Sequence, residues 1–224
     1  MSGLKRKKKI KKRPSDFLSE EELVSQEFVS FFSEVLKRMP QKTARVVLNT
    51  YNQSKKVAKR IVEKNRVKIN QEIEDFLKGI TKETRKNCHQ IIHAASLTAA
   101  IVGCSPIPFS DAFLLVPVQL TMMARLHKLF GQTWSEGLGK SVSKELMAVS
   151  LGKSTVGNIV KLVPAVGTVS GAAINAAVAS VITESLGWTT VKMLNDGEDI
   201  FEQIISFKGQ FQTLYRALKT IKSK

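Results

Sequence analysis

The sequence predicts an all-α protein: a helical domain of two apolar, proline-turned hairpins with flanking amphipathic helices and one long basic helix toward the N-terminus. Three observations carry this. Apolar residues recur every three or four positions in segments that open on capping signals. Between Thr43 and Ile80 there is no proline, and no glycine before Gly79. Two apolar stretches each contain a proline turn, at Pro106 and Pro164, 58 residues apart, which reads as a weak internal repeat.

A chain of 224 residues can bury a sizeable core, and 43% hydrophobic with 24% charged residues excludes disorder throughout. The 35 basic residues against 19 acidic ones give a formal charge of +16, which calls for an anionic partner, either phospholipid headgroups or nucleic acid. Residues 1–92 hold 23 basic and 11 acidic residues, so +12 of that charge lies in the first part of the chain. Charge and hydropathy divide it into a basic tail (1–18), a basic amphipathic helical region (19–86) and an apolar helical-hairpin domain (87–224). Cys88 and Cys104 are too few and too far apart for a disulfide scaffold, which fits a reducing cytoplasm. The N-terminal basic run leads into Pro14-Ser15-Asp16 instead of an apolar segment, so no secretion signal is expected, and Ser2 after Met1 does not suit N-myristoylation.

The tail block is Lys5, Arg6, Lys7, Lys8, Lys9, Ile10, Lys11, Lys12 and Arg13, a self-repelling run suited to meeting an anion. It interleaves no aromatic residue, so a contact with nucleic acid would be to phosphates and nonspecific. Ser19-Glu20-Glu21-Glu22 has the form of a capping box and opens a helix whose Val24, Phe28, Phe31, Val35 and Met39 form an apolar face, ended by Pro40. That face is expected to pack on the rest of the chain. Thr43 to Ile80 reads as one long helix or two in line, with a narrow apolar stripe and a basic flank of Lys55, Lys56, Lys59, Arg60, Lys64, Arg66 and Lys68. Lys55, Lys56, Lys59 and Arg60, with the tail cations, are the candidate anionic-surface residues.

His89 and His93 stand at i and i+4, the helical spacing of a zinc pair, and are weak candidate metal ligands. The position of a catalytic glutamate in such a motif holds Gln90, which cannot accept a proton. Ala94 to Ala124 forms the first hairpin, turned by Gly103 to Phe109, with Ser110 or Asp111 suited to cap the second arm and Pro117 predicting a kink. Each arm of about 14 residues spans about 21 Å, short of a bilayer core of about 30 Å. A second capping box, Thr133-Trp134-Ser135-Glu136, follows Gly131. Gly152-Lys153-Ser154-Thr155 ends like a phosphate loop, but Met147 stands where its first glycine belongs; Gly137-Leu138-Gly139 lacks the third glycine of a dinucleotide fingerprint. No nucleophile triad assembles, so no enzyme activity and no cofactor are expected. The second hairpin turns at Val163 to Gly167 and continues into a long arm through Glu184, rich in alanine. Gly167 and Gly171 suit close packing against the Pro106 hairpin, with self-association along the same glycines as the alternative. After Asn195-Asp196-Gly197, a final amphipathic helix runs from Glu198.

Two motifs carry a family resemblance. Pro106-Ile107-Pro108-Phe109-Ser110-Asp111-Ala112, continuing to Leu115, Gln119, Met122, Arg125 and Phe130-Gly131, is the first; Lys161 to Gly167 with Pro164, then Gly171, Thr183 and Leu186-Gly187, is the second. Together they resemble the domain of unknown function found in YcjF-type proteins and at the C-termini of Era-like bacterial GTPases. The resemblance implies an all-helical, GTPase-associated module, often in membrane-linked bacterial proteins, with no established activity. This chain lacks a G domain, so any GTPase would be a separate partner. The expectation is a non-enzymatic GTPase-associated or membrane-associated module, held at the cytoplasmic face of the membrane by its basic N-terminal part. The alternatives are a nonspecific nucleic-acid binder and an integral membrane protein with short inserted hairpins.

Overall fold

The computed structural model describes residues 20–106, 112–135, 137, 139–142 and 171–219. Their regular structure is entirely helical, as the periodicity requires. The elements are α1 (Glu20–Arg38), α2 (Gln41–Asn49), α3 (Tyr51–Phe76), α4 (Lys82–Cys104), a 3-10 turn (Ala112–Leu115), α5 (Val116–Leu129), α6 (Gly171–Asn195) and α7 (Ile204–Lys219).

The aromatic face of α1 packs inward: Phe28, Phe31, Phe32, Val35 and Met39 are buried, against α4 and α5. Pro40 ends α1 and at once precedes α2. Of the two readings of the Thr43 to Ile80 stretch, the structure has two helices, α2 and α3, separated at Thr50, whose hydroxyl lies 3.1 Å from the Val46 carbonyl and 3.3 Å from the hydroxyl of Ser105 at the end of α4. Ser105 in turn donates to the Ile101 carbonyl at 3.1 Å. A β-branched hydroxyl that bonds backward along its own helix and sideways to another is well placed at such a break. Gly79, at φ +92°, turns the chain between α3 and α4, a conformation that suits a residue without Cβ. Thr81 then caps α4 by accepting from the Thr84 amide at 3.2 Å.

The first hairpin pairs α4 with α5, its tip partly outside the described residues. Pro117 does not kink the second arm: it lies in the first turn of α5, where its missing N–H has no helical partner to lose. The caps expected at Ser110 or Asp111, and Pro108, lie outside the described residues, as do Lys161, Pro164, Gly167 and the phosphate-loop-like segment.

α6 is the central helix, buried on every side from Ala176 to Leu194 except at Lys192. A helix that is apolar or small all round belongs in a core. Most of its buried hydroxyls bond back along the helix: Thr183 donates to Ala179, Ser185 to Val181 and Thr190 to Leu186, each at 2.8 Å, while the Thr189 hydroxyl has no partner among the described residues. α4 runs antiparallel to α6. A Cβ on Gly103 would fall 2.8 Å from the Asn175 carbonyl oxygen, and one on Gly187 would fall 2.8 Å from Ile92 and 3.0 Å from Met122. These two glycines therefore set the approach of α4 and α5 to α6. The sequence points to Gly171 for that role, and the structure corrects it. Gly171 is exposed at the start of α6, where a Cβ would meet no described atom within 4 Å. One hydrophobic core runs from Phe28 to Leu218, so α1 and α3 of the basic region share it with α4, α5, α6 and α7.

Candidate anion-binding surface

The predicted surface cations separate into different environments. Lys56 and Arg60 are exposed on α3. Lys55 instead sits over the rings of Phe28 and Tyr51, 5.0 and 5.2 Å from their centroids, a cation–π contact that ties α3 to α1. Lys59 is 3.6 Å from the Glu63 carboxylate one turn on. Lys42 and Arg45 on α2 are also exposed, two cations that the sequence reading left out. The signal was available in the three- and four-residue spacing of polar positions facing away from the apolar stripe. Lys5, Arg6, Lys7, Lys8, Lys9, Lys11, Lys12 and Arg13 lie outside the described residues.

Arg125, in the first resemblance motif, has a structural task. Its guanidinium donates to Glu27 Oε1, to Glu34 Oε2 at 2.7 Å and to the Ser30 hydroxyl at 3.1 Å. It also lies 5.1 Å from the Phe31 ring centroid. The α1 residues at i, i+3, i+4 and i+7 thus converge on one side chain of α5. Burial works to lower the Arg125 pKa, but the hydrogen bonds and charges of Glu34 and Glu27 outweigh it and raise the pKa above the ordinary guanidinium value.

His89 and His93 both lie on α4. The His89 ring meets Trp188 edge-on at 4.5 Å, and Trp188 donates to the buried Glu184 at 3.0 Å. Among the described residues no group of three or more His, Cys, Asp or Glu is placed to hold a metal ion. Burial pushes the Cys88 thiol up to about 12, against a smaller opposing effect of a backbone hydrogen bond, and the Cys104 thiol up to about 11. Both are therefore protonated and poorly nucleophilic at neutral pH. Of the other motif residues, Pro106 is exposed and Gln119, Thr183 and Gly187 are buried. Among the described residues, neither polar end of the Gln119 amide has a hydrogen-bond partner.

His127, in the last turn of α5, is buried against Trp134 and Phe201, with ring centroids 4.9 and 6.2 Å away. Its Nδ1 is 2.8 Å from the Met123 carbonyl. Burial lowers its pKa below the ordinary 6.5, more than the Met123 bond and the Asp199 charge raise it. The unfolded chain therefore binds the proton more readily than the folded one. Stability should hold above about pH 6.5 and fall as pH drops below that value toward the lowered folded pKa. Thermal melts between pH 7.5 and 5.5 check this: His127→Phe should flatten the decline, and an equal decline in that variant would assign it to other groups.

Taken together, the described elements define an all-α bundle wrapped on a central small-residue helix, with exposed cations on α2 and α3. The chain belongs to the family described as Domain of unknown function (DUF697), which it matches over residues 65–220. It is similar to Magnetosome membrane protein 22 of Magnetospirillum gryphiswaldense, 32% identical over 111 residues, covering 48% of this chain. The match spans about half the length of that curated relative, 55% of it. No solved structure matches the chain.

Proposed function

We propose that the chain is a non-enzymatic helical interaction module working at an anionic membrane surface through its basic N-terminal part. The observation that carries this reading is the placement of charge: residues 1–92 hold +12 of the +16, and Lys42, Arg45, Lys56 and Arg60 are exposed on the outside of the bundle. Anionic headgroups at a cytoplasmic leaflet attract such cations with about 1 kcal/mol each. The membrane side is supported by the similarity to a magnetosome membrane protein. No helix among the described residues is long and apolar enough to cross a membrane, and attachment to headgroups requires none. The partner is a separate GTPase, a reading that rests on the family resemblance.

Vesicle pelleting tests the proposal. The chain should sediment with phosphatidylserine-containing vesicles and not with phosphatidylcholine alone, and deletion of residues 1–16, which carry eight basic residues, should weaken that binding at least tenfold. A chain that stays in the supernatant with anionic vesicles at low salt would end the membrane reading. Crosslinking in cells that recovers the chain without any GTP-binding protein would remove the GTPase.

A further inference from the structure

The polar residues of α2 and α3 contain a pattern that the contacts described above leave unused. Lys42, Arg45, Asn49, Gln53, Lys56, Arg60 and Lys64 follow one another at intervals of three or four, and all seven are exposed. At about 100° per residue, those in each helix share the side away from its buried residues, Val47 in α2 and Ser54, Ala58 and Ile61 in α3. The break at Thr50 falls within this set: the Thr50 amide closes α2 on the Val46 carbonyl at 3.2 Å and the Ser54 amide opens α3 on the Thr50 carbonyl at 2.9 Å, so Lys42, Arg45 and Asn49 belong to α2 and Gln53, Lys56, Arg60 and Lys64 to α3. The row runs over 23 residues, from Lys42 to Lys64. It holds five cations, two amides and no carboxylate; the neighbouring Glu63 is engaged by Lys59 beside the row.

We infer that this row is the line along which the protein lies on an anionic bilayer. The inference rests on the membrane reading above and adds which residues meet the headgroups and which way the bundle faces. A row of exposed cations free of carboxylates suits an array of phosphates, and Asn49 and Gln53 add neutral donors to phosphate oxygens. No aromatic side chain stands in the row, so it offers bases nothing to stack on. Lys55, although adjacent in sequence, is withdrawn to the α1 side by its ring contacts. α1 lies antiparallel to α3, because Phe28 meets Lys55 while Phe32 meets Tyr51. Its Glu20 end therefore points toward the Lys64 end of the row, and Arg13, the last cation of the tail block, precedes Glu20 by seven residues. With the row on the headgroups, α4 and α6 are behind α3, one interhelical distance of about 8–10 Å further out. The apolar hairpin of α4 and α5 then stays out of the lipid.

The test uses the full chain and vesicles of phosphatidylcholine with phosphatidylserine. Changing Lys42, Arg45, Lys56, Arg60 and Lys64 together to glutamine should weaken binding by about 1,000-fold or more, from roughly fivefold per cation. A charge-matched control changes five other exposed lysines, Lys37, Lys82, Lys86, Lys128 and Lys140, and should retain most of the affinity. Amine labelling of the unmodified protein on vesicles gives a readout independent of substitution: Lys42, Lys56 and Lys64 should be protected while Lys128 and Lys140 stay reactive. Equal weakening by both variants, or equal labelling of both lysine sets, would overturn the row while leaving membrane binding itself in place. Failure of the unmodified chain to bind would remove the membrane reading and the row with it. Tighter binding to duplex DNA than to vesicles at the same salt, lost in the row variant, would assign the row to another occupant and overturn the inference.

Discussion

Gly103→Leu is expected to destabilise the fold by about 3 kcal/mol or more, the upper part of the range for overpacking. Even the first added carbon would lie 2.8 Å from the Asn175 carbonyl oxygen and 3.0 Å from the Ala176 Cα. Both are backbone atoms of α6, so no rotamer change relieves the contact, and α4 and α6 must separate along a seam that buries Ala99, Ala100, Ala176 and Ala179. Gly103→Ala isolates the steric part, because alanine recovers about 1 kcal/mol of helix propensity that glycine forgoes. Gly171→Leu is the internal control and should change stability by no more than about 0.5 kcal/mol, as at an open surface site. Urea unfolding followed by far-UV circular dichroism measures all three. A Gly103→Leu protein as stable as the parent would mean that α4 does not approach α6 as described.

The second large effect is expected at Arg125. Arg125→Ala should cost about 2 kcal/mol, since it removes charge-assisted hydrogen bonds to Glu27 and Glu34 and a cation–π contact with Phe31. The figure sits below that of a fully buried pair because the two carboxylates are 25% and 36% exposed and partly screened by water. Arg125→Lys keeps the charge but cannot reach both carboxylates with one planar fork, so it should recover less than half of the loss. A double-mutant cycle with Glu34→Gln should show coupling of at least about 0.5 kcal/mol. Additive effects would show that the two side chains act separately.

Much of the fold is legible in the sequence because its cause is local. The Ser19 to Glu22 capping signal and the spacing of Phe28, Phe31 and Val35 specify α1, and that face is buried as expected. The continuous small and apolar residues of α6 predict a helix with no wet face, and the structure places it at the centre. Pro117 was misplaced because a proline in an apolar run reads as a kink unless one knows that the helix begins beside it. The final helix begins at Ile204 instead of Glu198, since Gly197 at φ +75° and the Asp199 side chain, accepting from the Phe201 amide at 2.7 Å, hold the chain in turns first.

Residue type and short-range periodicity are enough to give the helical class, the order of most elements, the family likeness and the concentration of positive charge toward the N-terminus. Which glycines close the core and which cations are occupied depends on contacts between distant segments. Gly103, Gly171 and Gly187 are alike in sequence and differ only in what stands opposite them. Lys55 and Lys56 are neighbours, yet one covers the rings of Phe28 and Tyr51 and the other faces outward. The difference arises because α1, whose Phe28 is 27 positions before Lys55, packs against one side of α3 and leaves the other open.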